Sequence, residues 1–384
     1  MSDRPSLSCP TLSLCMIVKN EGANLGRCLR SAQRYVDEIV VVDTGSEDDT
    51  VSIARSFGAT LGYFSWCNDF AAARNHALSL VTQAWVLVLD ADEELIVEAG
   101  RDLRSVLPID SSMLLAYLSL VETGNPGMTA APLPRLFRNL PQIRYVGCYH
   151  EQLRYDDRPF AASQTTHLSE ARILHYGYSA AQVKRKNIER LPILEQARQT
   201  DGLSLMLLYT LAGMYGESGQ TEQSQSCYSE AFERLLPHLL AGNPPPELGM
   251  IPSLVFSLGA QSLQQQDYET ALLLCRRGLE WCPQYPPLNY LAGMILRAIG
   301  FPLGAVPYFE SCLQMGQEQN YYPGEPFEVD FITLYPACEM GCTYSQLEQW
   351  SEAEAAFELA LSFDAECGVA KQNLYNIRNK MSCV

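Results

Sequence analysis

The sequence predicts an α/β domain on a mostly parallel sheet, followed by an all-α array of repeated helix pairs. Three observations predict it. Short apolar runs alternate with helix-period segments through residues 12–89, the pattern of a parallel sheet with helices on its faces. Small residues recur at fixed spacing through residues 212–360, as they do where stacked helix pairs touch. The charge divides the chain in the same way: residues 1–200 hold 23 acids and 20 bases, residues 201–384 hold 21 acids and 7 bases. A length of 384 residues suits two domains. The expected parts are residues 1–180, a connecting helix over 181–202, and the array over 203–384.

The elements of the first part follow in order. Residues 12–18 form an apolar run ending at Lys19-Asn20-Glu21, a buried strand and its loop. Residues 24–35 carry Leu25, Cys28, Leu29 and Ala32 at helical spacing. Residues 36–42 are a β-branched strand that stops at Asp43-Thr44-Gly45-Ser46. Asp48 and Asp49 open a helix through Ile53, Ala54 and Phe57, with Gly58 as its stop. Residues 60–64 are a weaker strand, 69–78 a strong helix, and 85–89 a fourth strand aimed at Asp90-Ala91-Asp92-Glu93-Glu94. In such sheets ligands bind outside the carboxyl ends of the strands. Asn20/Glu21, Asp43 and Asp90/Asp92 therefore converge on one rim, where four carboxylates call for compensating cations.

Asp90 and Asp92 flank one residue, so on an extended segment both side chains face one side. That suits a hard divalent cation bridging the pair to a diphosphate. No Gly-rich phosphate loop of either common type is present, which disfavours a dinucleotide or P-loop site. Arg74 and Asn75 would bring a cation and an amide to the same rim. Taken alone, Asp43-Thr-Gly-Ser also reads as an Asx turn that caps a helix.

Four ordered motifs carry a family resemblance: residues 13–21 (SLCMIVKNE), 40–46 (VVVDTGS), 66–75 (WCNDFAAARN) and 87–94 (LVLDADEE). Over roughly residues 10–180 the chain resembles the family 2 inverting glycosyltransferases, whose GT-A fold is a Rossmann-like mostly parallel sheet. It looks most like the branch with a tetratricopeptide tail, which includes the sublancin-type peptide S-glycosyltransferases. The resemblance implies a nucleotide-sugar pocket lined by Lys19, Asn20 and Glu21 after the first strand. Asp43, with Thr44 and Gly45, would meet the base, usually uracil. Asp69, Arg74 and Asn75 would hold the ribose and diphosphate side. Asp90, Ala91 and Asp92 match the Asp-x-Asp motif that carries Mn²⁺ or Mg²⁺ and the donor diphosphate. Residues 135–139 (RLFRN), 143–153 (IRYVGCYHEQL) and 172–178 (RILHYGY) resemble later elements of the branch. They imply Glu151 as the general base, His175 as a third metal ligand beside Asp90 and Asp92, and His150 as a group that orients Glu151 or meets the donor phosphate. Asp92 and Glu94 remain rival bases. Arg135 and Arg138 either bind phosphate or pair with the acids of the crevice. His76, His167 and His238 read as ordinary surface or helix residues.

The second part shows four copies of a 12-then-7 spacing: Ala212, Ser224, Ala231; Gly259, Ala271, Gly278; Gly293, Ala305, Cys312; and Gly341, Ala353, Ala360. These are the small-residue contacts of the 34-residue tetratricopeptide repeat. Insertions fall around residues 243–246 and 321–327, Pro307 should delay or kink its helix, and residues 368–381 read as a capping helix. The array would dock a peptide or protein acceptor of basic character, form a homodimer, or only stabilise the chain.

Composition limits the rest. The formal net charge of −17 disfavours nucleic acid and anionic membrane. No window holds 18 apolar residues, so no transmembrane segment is expected. Residues 1–8 lack the order of a secretory signal, which points to the cytoplasm. The 13 cysteines run from Cys9 to Cys383 with no Cys-x-x-Cys, and Cys338 and Cys342 lack a second pair for zinc. They read as small buried residues in a reducing compartment. The leading function is metal-dependent inverting sugar transfer from a nucleotide-sugar. The alternatives are a non-catalytic repeat scaffold and a transferase acting on cell-surface glycan.

Overall fold

The computed structural model describes residues 10–108, 110–125, 127–177, 180–200, 202–246 and 250–381. The expectations resting on residues 1–8, Cys9, Tyr178 and Cys383 lie outside them. The chain forms two compact units: residues 1–126 with 130–202, and residues 127–129 with 203–384.

In the first unit, β1 (Leu12–Val18), β2 (Glu38–Asp43), β3 (Thr60–Tyr63) and β4 (Trp85–Val88) are parallel, in the order β3-β2-β1-β4. They alternate with α1 (Leu25–Ala32), α2 (Thr50–Ser56) and α3 (Phe70–Leu78), as the periodicity predicts. The sheet continues through β7 (Ala131–Arg138), β6 (Leu115–Glu122), β10 (Thr165–His175) and β5 (Glu93–Val97). Here the pairing is mixed: β7 is antiparallel to β4 and β6, and β5 to β10, while β10 runs parallel to β6. A separate hairpin joins β8 (Ile143–Val146) and β9 (Gln152–Tyr155). A short helix, α4 (Leu103–Val106), follows β5, and the long helix α5 (Ala180–Thr200) ends the unit.

Both faces of the parallel strands are covered, which explains their unbroken apolar runs. Leu12, Leu14, Met16 and Val18 pack on Leu25, Cys28, Leu29 and Ala32 of α1. Cys15, Val40, Val42, Val86 and Val88 pack with Ala71 and Ala77 of α3 on the other face. The register pairs Val18 with Asp43 and Cys15 with Val88, so β1, β2 and β4 end on one rim.

The second unit is an all-α array. Its pairs are α6 (Leu205–Glu217) with α7 (Thr221–Ala241), α8 (Ile251–Gln264) with α9 (Tyr268–Trp281), α10 (Pro286–Ala298) with α11 (Pro302–Glu318), and α12 (Leu334–Gln346) with α13 (Trp350–Phe363). The last helix is α14 (Gly368–Met381). The small residues have a steric cause. A methyl group at Gly259 would come within 2.7 Å of Leu291, and one at Gly341 within 2.7 Å of the Phe357 ring. Ala271, Ala305, Cys312, Ala353 and Ala360 are fully buried. Of the late start or kink expected at Pro307, the late start is not observed: α11 begins at Pro302, whose missing N–H costs nothing in the first turn, and runs through Pro307. Among the described cysteines, Cys15, Cys28, Cys227, Cys275, Cys282 and Cys312 are buried and Cys67 is exposed. Cys338 and Cys367 share a thiol hydrogen bond at 3.7 Å and form no disulfide.

The insertion before α12 carries a buried acid. Glu325 accepts from the backbone N–H of Ser253 at 2.9 Å, in the first turn of α8, and from the Ser253 hydroxyl. Its other oxygen has no partner among the described residues, and burial pushes the carboxyl from 4.5 up to about 7. A folded-state value above the unfolded one contributes stability that is complete below pH 4.5 and lost as pH rises through 7. Glu325→Gln is therefore expected to gain stability over the parent at pH 8, by up to about 3 kcal/mol, and to gain little at pH 4.5. Urea unfolding of both proteins at the two pH values checks this; parallel pH slopes would refute it.

Candidate active site

The rim is built by strand ends and one hairpin. After β1, Asn20 turns the chain with φ +55°; its backbone N–H donates to Ser46 Oγ at 2.9 Å, and its side-chain oxygen accepts from Glu47 at 2.8 Å. Glu21 donates its backbone N–H to Thr50 Oγ1 at 2.7 Å and meets Lys186 Nζ of α5 at 3.4 Å. Asp43 is 5% exposed and accepts from the backbone N–H groups of Gly45 and Ser46, each at 3.0 Å. The Asx-turn reading thus describes its geometry, with Gly45 at φ +109° supplying the bend. Thr44 donates to the Val18 carbonyl at 3.1 Å.

Asp69 caps α3 by accepting from Ala72 N–H at 2.9 Å. Asn75, one turn along from Ala71, engages the backbone of Tyr145 in β8 through its oxygen and its NH₂, both at 2.9 Å. This clamp, with the Phe70 N–H donated to the Cys148 carbonyl at 2.9 Å, holds the β8–β9 hairpin against α3. Glu151 follows the hairpin loop, in which Gly147 has φ +102° and His150 φ +49°. His150 packs edge-on against Tyr149.

The segment Asp90–Asp92 is not extended. The N–H of Glu93 closes a turn on the Asp90 carbonyl at 3.0 Å, and the Asp90 N–H donates to the Glu93 carboxylate at 2.8 Å. Ala91 is buried within that turn. The turn sends the two aspartates to different partners, so they do not face one side together. Asp90 lies between Arg74 at 3.0 Å and Arg135 at 3.1 Å. Arg74 also pairs with Glu151, and Arg135 with Glu93. The result is an alternating chain: Glu93, Arg135, Asp90, Arg74, Glu151. Burial alone would raise the Asp90 carboxyl, but the two guanidinium groups outweigh it and hold it below the usual range. Burial pushes Glu93 up to about 7 despite Arg135.

Asp92 faces His175 at the end of β10, with Oδ2 and Nε2 3.2 Å apart. The other ring nitrogen meets Glu122 at 2.8 Å. The hydrogen bond to Asp92, with help from Glu122, lifts His175 to about 9 against the effect of burial. Of the three expected metal ligands, the fold brings Asp92 and His175 together and turns Asp90 onto the arginines. Lys19 is exposed at the rim. Glu94 accepts from the Tyr176 hydroxyl. Arg138 donates to the carbonyls of Met113, Pro108 and Asp110 and lies over Trp85, a structural role. His76 packs by Phe64, His167 stacks on Tyr117 and His238 reaches the Asn243 carbonyl.

Three rim residues escaped the sequence reading: Glu93, Glu122 and Lys186. Glu122 had a signal, since it is an acid at the end of an apolar strand, as Asp43 and Asp90 are. Lys186 had none, because α5 reaches Glu21 only through tertiary packing.

Residues 13–101 match the family described as Glycosyl transferase family 2, and residues 337–367 match the Tetratricopeptide repeat. A TPR repeat-containing protein of Synechococcus elongatus is 36% identical over 270 residues, covering 68% of this chain and 64% of that one. The SPbeta prophage-derived glycosyltransferase SunS of Bacillus subtilis is 27% identical over 199 residues, covering 49% and 45%. The chain thus spans about half to two thirds of the length of these curated relatives. Glucosyl-3-phosphoglycerate synthase of Mycobacterium tuberculosis, solved with Mn²⁺ and UDP, aligns at 21% identity over 33% of this chain and 52% of that chain. Its TM-score of 0.25 is too low to bear on fold or function.

Proposed function

The chain carries a family 2 glycosyltransferase domain ahead of tetratricopeptide repeats, and from that premise we propose that it is an inverting glycosyltransferase using a nucleotide-sugar, UDP-linked by preference. The observation that supports the reading is a pair of charged groups beside the turn that follows β4: Asp90 and Glu151 on Arg74, and Asp92 on His175. In the proposed reaction Glu151 takes the acceptor proton. The acceptor atom forms its bond to the anomeric carbon from the face opposite the nucleotide, and the bond from that carbon to the diphosphate oxygen breaks. Arg74 and Arg135, paired with Asp90, Glu151 and Glu93, would hold the carboxylates of the rim in place. Asp43, Asn20 and the turn at Gly45 would seat the base and ribose.

The residues fit a divalent cation, Mn²⁺ or Mg²⁺. Asp92 Oδ2 and His175 Nε2 converge within 3.2 Å. Among the described residues no group of three or more acid, histidine or cysteine side chains stands ready around one point. One carboxylate and one imidazole suit an ion that keeps waters and substrate phosphates as its other ligands. Such an ion would neutralise charge on the leaving diphosphate. Among the described residues no helix is long and apolar enough to cross a membrane.

For the acceptor, the reading favours a peptide or protein segment of basic character. Within the repeat unit a cleft of about 520 Å³ is lined by Tyr228, Phe232, Glu233, Gln261, Gln265 and Asp267 among others. Its aromatic rings, amides and two acids suit an extended basic segment.

Hydrolysis of UDP- and GDP-sugars in the presence of Mn²⁺ tests the function. Turnover of one donor, abolished by Asp92→Ala, is expected. No turnover of any donor, together with nucleotide binding untouched by Asp92→Ala, would overturn the reading.

A further inference from the structure

His175 is held more tightly than a strand-end side chain needs to be. It pairs in register with Glu122, since β10 and β6 run parallel and both end there. Both Glu122 oxygens lie within reach of Nδ1, at 2.8 and 2.9 Å. The backbone is fixed as well: the N–H and hydroxyl of Thr123 both donate to the His175 carbonyl at 2.9 Å, and the Tyr176 N–H donates to the Asp92 carbonyl at 3.1 Å. Ring and main chain are therefore both tied, and what the ties leave facing the rim is Nε2 beside Asp92 Oδ2.

A carboxylate on Nδ1 fixes the orientation of an imidazole ring, and with it the direction in which the other nitrogen points. We propose that Glu122 is a positioning residue for a divalent cation: its carboxylate holds the His175 ring in one orientation, so that Nε2 stays beside Asp92 Oδ2, where the cation would be held. This rests on the metal reading above. Glu122 touches neither the cation nor the donor in this role. It acts through the ring alone, as outer carboxylates do at histidine metal sites, where their loss costs about 10–100-fold in affinity.

The test is Mn²⁺ titration of the full chain without donor, followed by electron paramagnetic resonance. The parent, Asp92→Ala, Glu122→Ala and Glu122→Gln are compared, with circular dichroism to establish that each is folded. Glu122→Ala is expected to weaken Mn²⁺ binding about 10–100-fold. Glu122→Gln, whose amide oxygen still accepts the Nδ1–H, is expected to recover part of it. Parent binding that is lost in Asp92→Ala but unchanged in both Glu122 variants would keep the metal reading and overturn this one. A parent with no Mn²⁺ binding would overturn both.

Discussion

Glu151→Gln is expected to slow sugar transfer about 10²–10⁴-fold, the range that a positioned general base supplies, while leaving donor binding within a few fold. The amide keeps the size of the carboxylate and one acceptor oxygen for Arg74, so the rim keeps its shape. What it loses is the capacity to take a proton from the acceptor. The split between kcat and KM is the measurement. A fall in kcat at constant donor affinity supports the base role; transfer at the parent rate would pass that role to Asp92 or Glu94. All three carboxylates have a partner, Glu151 in Arg74, Asp92 in His175 and Glu94 in the Tyr176 hydroxyl, so the kinetic split is what separates them.

Arg74→Met is expected to destabilise the first unit by about 3 kcal/mol, at the low end of what removing one partner of a buried ion pair costs. Arg74 and Glu151 are each 12% exposed, so the guanidinium is the principal compensation for the Glu151 charge. Asp90 loses less, because Arg135 remains at 3.1 Å and its side chain is 39% exposed. Burial alone would lower the Arg74 basicity, yet the two carboxylates raise it, so it stays charged at any working pH. Arg74→Lys should recover only part of the loss, since an ammonium lacks the planar fork that reaches both carboxylates at once. Urea unfolding of the three proteins measures this. If Arg74→Met is as stable as the parent, the alternating chain contributes nothing to the fold.

Much of the fold was legible because it rests on local periodicity. The limits of β1 and α14 coincide with the apolar run and the final helical segment read from sequence. The repeat spacing was legible because a helix-pair contact admits only a small residue, as Gly341 against Phe357 illustrates. Strand β10 lay outside the periodicity reading because it pairs with β5 and β6, far away in the chain, and the strands of the hairpin β8–β9 because each is only four residues long. Pro307 does not delay its helix, because the first turn is set five residues earlier by Pro302.

The candidate site divides in the same way. Which residues reach the rim follows from strand ends, and the sequence by itself determined that Asn20, Asp43, Asp90 and Asp92 would gather there. Which side chain meets which partner depends on register, turns and charge, and only the tertiary structure decided it. The turn at Asp90–Glu93 parts the two aspartates. The clamp of Asn75 on Tyr145 delivers Glu151 to Arg74. The parallel register of β6 and β10 sets Glu122 behind His175. Each of these joins residues far apart in the chain, and a pattern of periods and motifs does not encode the pairing of distant charges, because that pairing is settled by which groups lose water together when the core closes.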